Sequence, residues 1–303
     1  MTIKTGCCAG PLDNGKQMKS PVYLTVAIVV LSACSTVTEG NAVLKKQVID
    51  AVQSRPIVLL GEVHDNAAQH AIRLAAFERL LAQGARSALL MEQFDRDRQP
   101  ALDKARQQIN SQSVDGDLNT AAAAMIAAGA PEKSGWNWAF YQPFIVLALR
   151  YGLPIVAANV SRADAGRAMR QGLAALELQV EIPPEVMTLQ TQEIMLGHCN
   201  ALPLSLAQQM VLAQVARDVF MARMIEKYRA RGVVLLAGNG HTRRDIGVPI
   251  WLSPATRTNT VSIGMLEQPS TDGAFDTVIL TAAQPRADPC ASFTLPLRQP
   301  HQR

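Results

Sequence analysis

Two short boxes in this chain place a histidine three residues after a glycine: Gly61-Glu62-Val63-His64 and Gly238-Asn239-Gly240-His241. Each follows an apolar run, Ile57–Leu60 in the first case and Val233–Ala237 in the second. The chain has only 5 histidines, so two at one offset from two strand-like runs point to a single site assembled from distant segments. Glu62 and His64 are two residues apart and would project to the same side of an extended backbone. Glu92 follows another apolar run, Ala88–Met91, and can approach His241 from a neighbouring strand. A carboxylate beside an imidazole can activate water as a general base. The same groups suit zinc, manganese or iron. Glu62, His64, Glu92 and His241 are therefore candidate catalytic residues of a hydrolase. Glu62, His64 and His241 are candidate ligands of a divalent transition metal. A plainer alternative has Glu62 and His64 capping the next helix and His241 satisfied in the core.

Three further segments carry chemistry. Trp136-Asn137-Trp138-Ala139-Phe140-Tyr141 concentrates aromatics in a chain that is only 5 % aromatic. It could wall an apolar pocket for a flat ligand, with Tyr141 able to ligate iron, or it could anchor a loop on the core. Gly197-His198-Cys199 puts a histidine beside a cysteine at a helix end, where His198 could bind metal or haem or simply meet the helix dipole. Arg217 and Asp218 are adjacent on a long helix and point about 100° apart; each could make an ordinary ion pair, or Arg217 could take a carboxylate or phosphate of a ligand. His70 has the wrong spacing from His64 for a helical metal pair and is assigned to the surface or to a supporting position. His301, in the tail, is given no role. Among familiar signatures, the Gly-x-Ser-x-Gly elbow, the P-loop and the Rossmann glycine fingerprint are all missing.

The frame that must hold these groups reads as strands alternating with helices. Strands are expected at Pro56–Leu60, Ala88–Met91, Pro154–Ala158, Val233–Ala237, Thr260–Met265 and Thr277–Thr281. Helices are expected at Val43–Gln53, Ala67–Gln83, Pro100–Asn110, Leu118–Gly129, Phe140–Tyr151, Ala163–Leu178, from Pro184 to Gly197, and at Ser205–Arg231 with Ser205 as N-cap. The strands are continuously apolar, as strands covered on both faces are. This is an α/β fold with a mainly parallel central sheet and helices on both faces. Ligands of such sheets bind beyond the carboxyl ends of the strands. Both boxes, Glu92 and Asn159 fall at those ends, so the functional cleft is expected there.

The N-terminus reads as an export signal. Lys16 and Lys19 precede the apolar run Val22–Leu31, which is too short to span a bilayer, and Leu31-Ser32-Ala33-Cys34 follows it. Cys34 is then the lipidated first mature residue, and Ser35 after it favours the outer membrane. Residues 1–33 are expected to be a lipoprotein signal, with Met18 a natural start and 1–17 an upstream extension. Residues 34–42 form a tether, 43–285 one domain and 286–303 a loop-rich tail. Cys199 and Cys290 could pair in an oxidising compartment. The chain's 303 residues are 48 % hydrophobic, enough for a sizeable core, and its net charge of +4 is mild and evenly spread. Nucleic acid is therefore not an expected partner.

Several segments, taken together, resemble the ChaN family of iron-regulated, haem-binding bacterial lipoproteins. They are Leu60-Gly61-Glu62-Val63-His64-Asp65-Asn66, Met91-Glu92-Gln93-Phe94, Trp136-x-Trp138-x-x-Tyr141-x-Pro143, Gly197-His198-Cys199-x-x-Leu202-Pro203, Ala213-Gln214-x-x-Arg217-Asp218, and Ala237-Gly238-Asn239-Gly240-His241-x-Arg243-Arg244-Asp245-x-Gly247-Val248-Pro249. The wider superfamily, with erythromycin esterase, TraB/PrgY proteins and the Tiki proteases, is similar in its early Gly-Glu-x-His-type and later Gly-x-x-His boxes. The resemblance implies haem capture for iron uptake by a lipid-anchored, periplasm-facing protein of the outer membrane. It also implies a homodimer with cofacial haems and an outer-membrane haem receptor as a further partner. Tyr141 is the first choice for the iron ligand and His198 the second, with Trp136, Arg217 and Arg243 also at the haem site. The hydrolase remains the alternative.

Overall fold

The computed structural model describes residues 46–111, 117–130, 135–270 and 273–291. The expected signal, Cys34, the tether and His301 lie outside the described residues, as does the tail beyond residue 291. Six strands form one sheet: β1 (Ile57–Leu60), β2 (Ala88–Asp95), β3 (Ile155–Asn159), β4 (Val233–Leu236), β5 (Thr260–Leu266) and β6 (Thr277–Leu280). Their order is β3-β2-β4-β1-β5-β6, and every pairing is parallel. β1 thus lies between β4 and β5, and the strands carrying the two histidine boxes are direct neighbours.

Helices cover both faces, as the apolar strand composition requires. Residues 46–52 are helical (α1). They are followed by α2 (Ala67–Ala82), α3 (Gln99–Ser111), α4 (Leu118–Gly129) and α5 (Trp138–Arg150). These pack on one face against Val58, Leu60, Leu89, Met91, Val234 and Leu236. The alternate residues Ile57, Leu59, Ala88, Leu90, Val233 and Leu235 face α8 (Leu204–Tyr228) through Met221, Ala222 and Ile225. The period of two along each strand sorts the side chains into these two cores. Beyond α8, α6 (Arg162–Gln171) and α7 (Pro184–Gly197) build an outer apolar layer with it. Two short helices, α9 (Asn239–Thr242) and α10 (Pro254–Thr258), complete the set. No helix among the described residues is long and apolar enough to cross a membrane.

The parallel α/β architecture matches the sequence reading; several local details differ. β2 runs on to Asp95, with an irregular register against β3 between Met91 and Asp95, so Glu92 lies within the strand and not beyond it. The helix expected to reach Leu178 stops at Gln171, because Gly172 turns the chain at φ +80° before a 3-10 turn at Leu173–Leu176. α8 begins at Leu204 with Pro203 as N-cap, so Ser205 does not cap it. α9 was not expected; it forms inside the second box itself.

Leu235 is fully buried at the centre of the sheet. Leu235→Ala is expected to lower the unfolding free energy by about 2–5 kcal/mol, measured by urea denaturation. A loss below half a kilocalorie would mean that this face is not packed as described.

Candidate functional site

β1 and β4 deliver the two boxes side by side. The Gly61 amide donates to Ile263 O (2.8 Å), and the Asn239 amide donates to Glu62 O (3.0 Å). The approach is close enough to require glycine. A Cβ on Gly61 would stand 2.3 Å from Asn239 Oδ1 and 2.7 Å from Thr242 Oγ1. Asn239 also stitches the second box to β5: its Nδ2 donates to Met265 O (2.6 Å) and its Oδ1 accepts from the Met265 amide (3.0 Å).

Two buried carboxylates organise the cluster around these boxes. Glu62 is 2 % exposed. Its Oε1 accepts from the Tyr141 hydroxyl (2.5 Å) and from His64 Nδ1 (2.8 Å), while its Oε2 pairs with the fully buried Arg73. His70, buried behind it, reaches His64 O with Nε2 (3.0 Å) and stacks on Phe140. Burial pulls Arg73 down to about 10, which leaves it cationic at neutral pH. Burial also raises the Tyr141 phenol well above its ordinary value, so it stays a donor.

Glu92 anchors the second half. Its Oε2 accepts from the Gly238 amide (2.7 Å), and its Oε1 lies 3.5 Å from His241 Nε2. On the other side of that ring, His241 Nδ1 meets Asp218 Oδ1 at 2.6 Å. Burial opposes the charge on His241, but Glu92 and Asp218 outweigh it and raise the imidazole to about 10. Burial likewise works against the Glu92 carboxylate, yet His241, His64 and the Gly238 amide hold it at about 2. Asp218 is raised by burial, with His241 acting against that rise.

The two halves touch at Gly238. A Cβ there would sit 2.9 Å from His64 Cε1, 3.2 Å from His64 Nε2 and 3.8 Å from Glu92 Oε2. The histidines of both boxes therefore belong to one rim of the sheet, as their spacing suggested. Trp136 meets the His64 ring edge to face at 4.7 Å.

This arrangement stores charge; it does not leave it free. Glu62 is engaged by Tyr141, His64 and Arg73, and Glu92 and Asp218 together favour the protonated form of His241. The expected metal ligands do not converge: among the described residues no group of three or more His, Cys, Asp or Glu is placed to hold a metal ion. Glu62 is occupied by Arg73 and Tyr141, and both His241 nitrogens face carboxylates, so the divalent-metal reading is not carried by these donors.

The other expected residues are dispersed. Tyr141 is 0 % exposed, inside the Glu62 cluster rather than on a surface wall. Trp138 stacks on Phe94 and Phe140 on His70, so much of the aromatic segment anchors α5 to the core. His198 stands at the C-cap of α7, its Nδ1 donating to Ile194 O (2.7 Å), outside the His64–His241 cluster. Arg217 reaches Gln214 Oε1 (3.5 Å). Arg243 is engaged by Asp245 (2.6 and 3.0 Å) and Glu193 (3.3 Å). Arg73 and the pairing of Asp218 with His241 went unforeseen. Both had a signal: polar residues on the buried stripe of an amphipathic helix, Gln69, His70 and Arg73 on α2 and Asp218 between Val211, Val215 and Ala222 on α8.

Comparison with known proteins agrees with this fold. The family described as "Haem-binding uptake, Tiki superfamily, ChaN" matches residues 48–252. Among solved structures, the chain is similar to one described as cofacial haem binding to ChaN of Campylobacter jejuni. The TM-score is 0.61 at 21 % identity, covering 76 % of this chain and 89 % of that one. A more distant likeness is to the type III effector HopBA1, with TM-score 0.45 and 12 % identity over 80 % of this chain and 94 % of that one. Another is to a mutant erythromycin esterase EreC in its open conformation, with TM-score 0.41 and 13 % identity over 75 % of this chain and 76 % of that one. No curated protein sequence matches.

Removing the cation from between two buried carboxylates has a defined cost. His241→Ala is expected to destabilise the fold by about 3–5 kcal/mol near neutral pH. Because folding raises the His241 value from an ordinary 6.5 to about 10, its stabilisation is complete below 6.5 and is lost as pH climbs through 10. Urea denaturation at stepped pH should show that decline in the parent and not in the variant. A parent flat from pH 6.5 to 10 would contradict the charge assignment.

Proposed function

The chain belongs to the haem-binding uptake family ChaN of the Tiki superfamily, and on that footing we propose that it captures haem at the α7–α8 corner, with His198 as the iron ligand. The observation that carries this choice is the bond from His198 Nδ1 to Ile194 O at 2.7 Å. A carbonyl can only accept, so Nδ1 carries a proton, and the neutral ring then keeps its lone pair on Nε2, the form that binds iron. The His198 side chain is part-exposed. Leu196, Leu204 and Leu206, on the same corner, are three of the four large apolar side chains left exposed among the described residues.

Haem needs a nitrogen or oxygen lone pair for its iron and apolar surface for its macrocycle, and this corner offers both. Tyr141 offers neither access nor a free phenol, since its hydroxyl belongs to Glu62. His64 is half-exposed and tied through Nδ1 to Glu62, inside the charged cluster and away from the exposed leucines. The haem is cargo in this reading, held by the corner and released to a partner.

The Campylobacter jejuni structure is described by cofacial haem binding. Two copies of the present chain meeting through their exposed leucines would bring two haems face to face in the same manner. An acyl anchor on Cys34 would hold the protein at the outer membrane, facing the periplasm, where an outer-membrane receptor would pass haem to it for iron uptake. Two features support that location: the Leu31-Ser32-Ala33-Cys34 pattern, and the Cys199–Cys290 disulfide, which suits an oxidising compartment.

Haemin added to the purified protein should give a saturable Soret shift. His198→Ala should weaken binding at least about tenfold and move the band, while Tyr141→Phe should leave the band where it is. A parent with no Soret change removes the haem reading. A His198→Ala protein indistinguishable from the parent removes only the ligand assignment.

A further inference from the structure

We propose that the segment from Arg286 to Cys290 is a strap that fixes the orientation of His198, with the Cys199–Cys290 disulfide as its positioning element; this rests on the assignment of His198 as the iron ligand. Cys199 directly follows His198. The corner it occupies is built from residues that do not favour it: Cys199 (φ +58°) and Asn200 (φ +54°) are both in the left-handed region, where a helix end ordinarily uses glycine. The turn is closed by the Cys199 amide on Leu196 O (3.0 Å) and the Asn200 amide on Met195 O (2.8 Å). A bond to Cys290, with the two Cα atoms 5.6 Å apart, holds it there.

The other end of the strap is fixed to the first box. Asn66 Nδ2 donates to Ala282 O (2.9 Å), and the Gln284 amide donates to Glu267 Oε1 (3.1 Å). Arg286 then grips two carboxylates. Its Nε and Nη2 meet Asp65 at 2.6 and 2.5 Å, and its Nη1 and Nη2 meet Glu267 at 2.5 and 2.8 Å. Arg286 and Cys290 are four positions apart, a reach of at most about 14 Å. The tail therefore links the residue after His64 to the residue after His198 and ties the α7–α8 corner to the rim of the sheet. With both anchors made, the His198 ring keeps its Nδ1–H on Ile194 O. With the disulfide gone, the turn after His198 loses its covalent tie and rests on a disfavoured backbone.

The test uses the full-length protein, the Cys199→Ser/Cys290→Ser double variant and Arg286→Ala. The double substitution avoids leaving a lone thiol that could itself bind haem. The first readout needs no haem: the 15N shifts of the His198 ring report which nitrogen carries the proton. The parent should show one Nδ1–H tautomer and the double variant a mixture. The second readout is a haemin titration, made well below each variant's unfolding temperature. The double variant should bind about tenfold more weakly, with a broadened Soret band. Arg286→Ala, which keeps the disulfide, should shift both readouts in the same direction by less. A double variant with the parent's tautomer, affinity and band overturns the proposal, as would two freely titrating thiols at Cys199 and Cys290 in the unreduced protein. A parent that takes up no haem removes the ligand reading and this proposal with it, whereas an unchanged variant of a haem-binding parent removes the strap alone.

Discussion

The His241 imidazole sits between the buried carboxyl groups of Glu92 and Asp218, where an unanswered charge would be costly. Each of the three comes from a different element: Glu92 from β2, Asp218 from α8, His241 from the short helix α9 that follows β4. Their mutual need pulls a strand and two helices to one point. Glu62 repeats the pattern on the opposite side of Gly238, drawing Arg73 from α2 and Tyr141 from α5. Both helical layers are thus tied to the rim of the sheet by matched charge as well as by apolar packing. Desolvation makes each of these groups costly alone and the set cohesive together.

That economy shapes what the rim can do. Groups that answer one another inside the protein are not free to answer a ligand. Glu62, Glu92 and His241, which looked most chemical in the sequence, brace the rim through these contacts. The corner between α7 and α8 is built differently, with a single imidazole whose proton is directed inward and leucines left facing out. A braced rim beside an open apolar corner is the division of labour expected when function lies in recognition of a flat, greasy ligand.

Much of this was legible before the structure. Continuous apolar runs marked the doubly covered strands, and the shared glycine-histidine offset correctly placed His64 and His241 at one sheet edge. What escaped was of two physical kinds. Periodicity does not register where a strand stops once its residues are buried on both faces, so Glu92 read as a loop residue although β2 continues through it. Residue type also does not reveal who answers a buried charge. Arg73 and Asp218 occupy positions on helical stripes that apolar residues would fill, and only the three-dimensional meeting of α2 with β1 and of α8 with β4 shows why they are polar. Tyr141 was misleading for the same reason: an aromatic with a hydroxyl reads as a surface ligand until its partner, Glu62, is seen beneath it.

The place of β1 in the sheet bears on how the molecule comes into being. Ile57 pairs with Val233 on one side and Thr260 on the other, so the first strand of the sheet waits for the fourth and the fifth. The central hydrogen-bond ladder closes only once both of those strands are present. Such late, non-local closure slows folding.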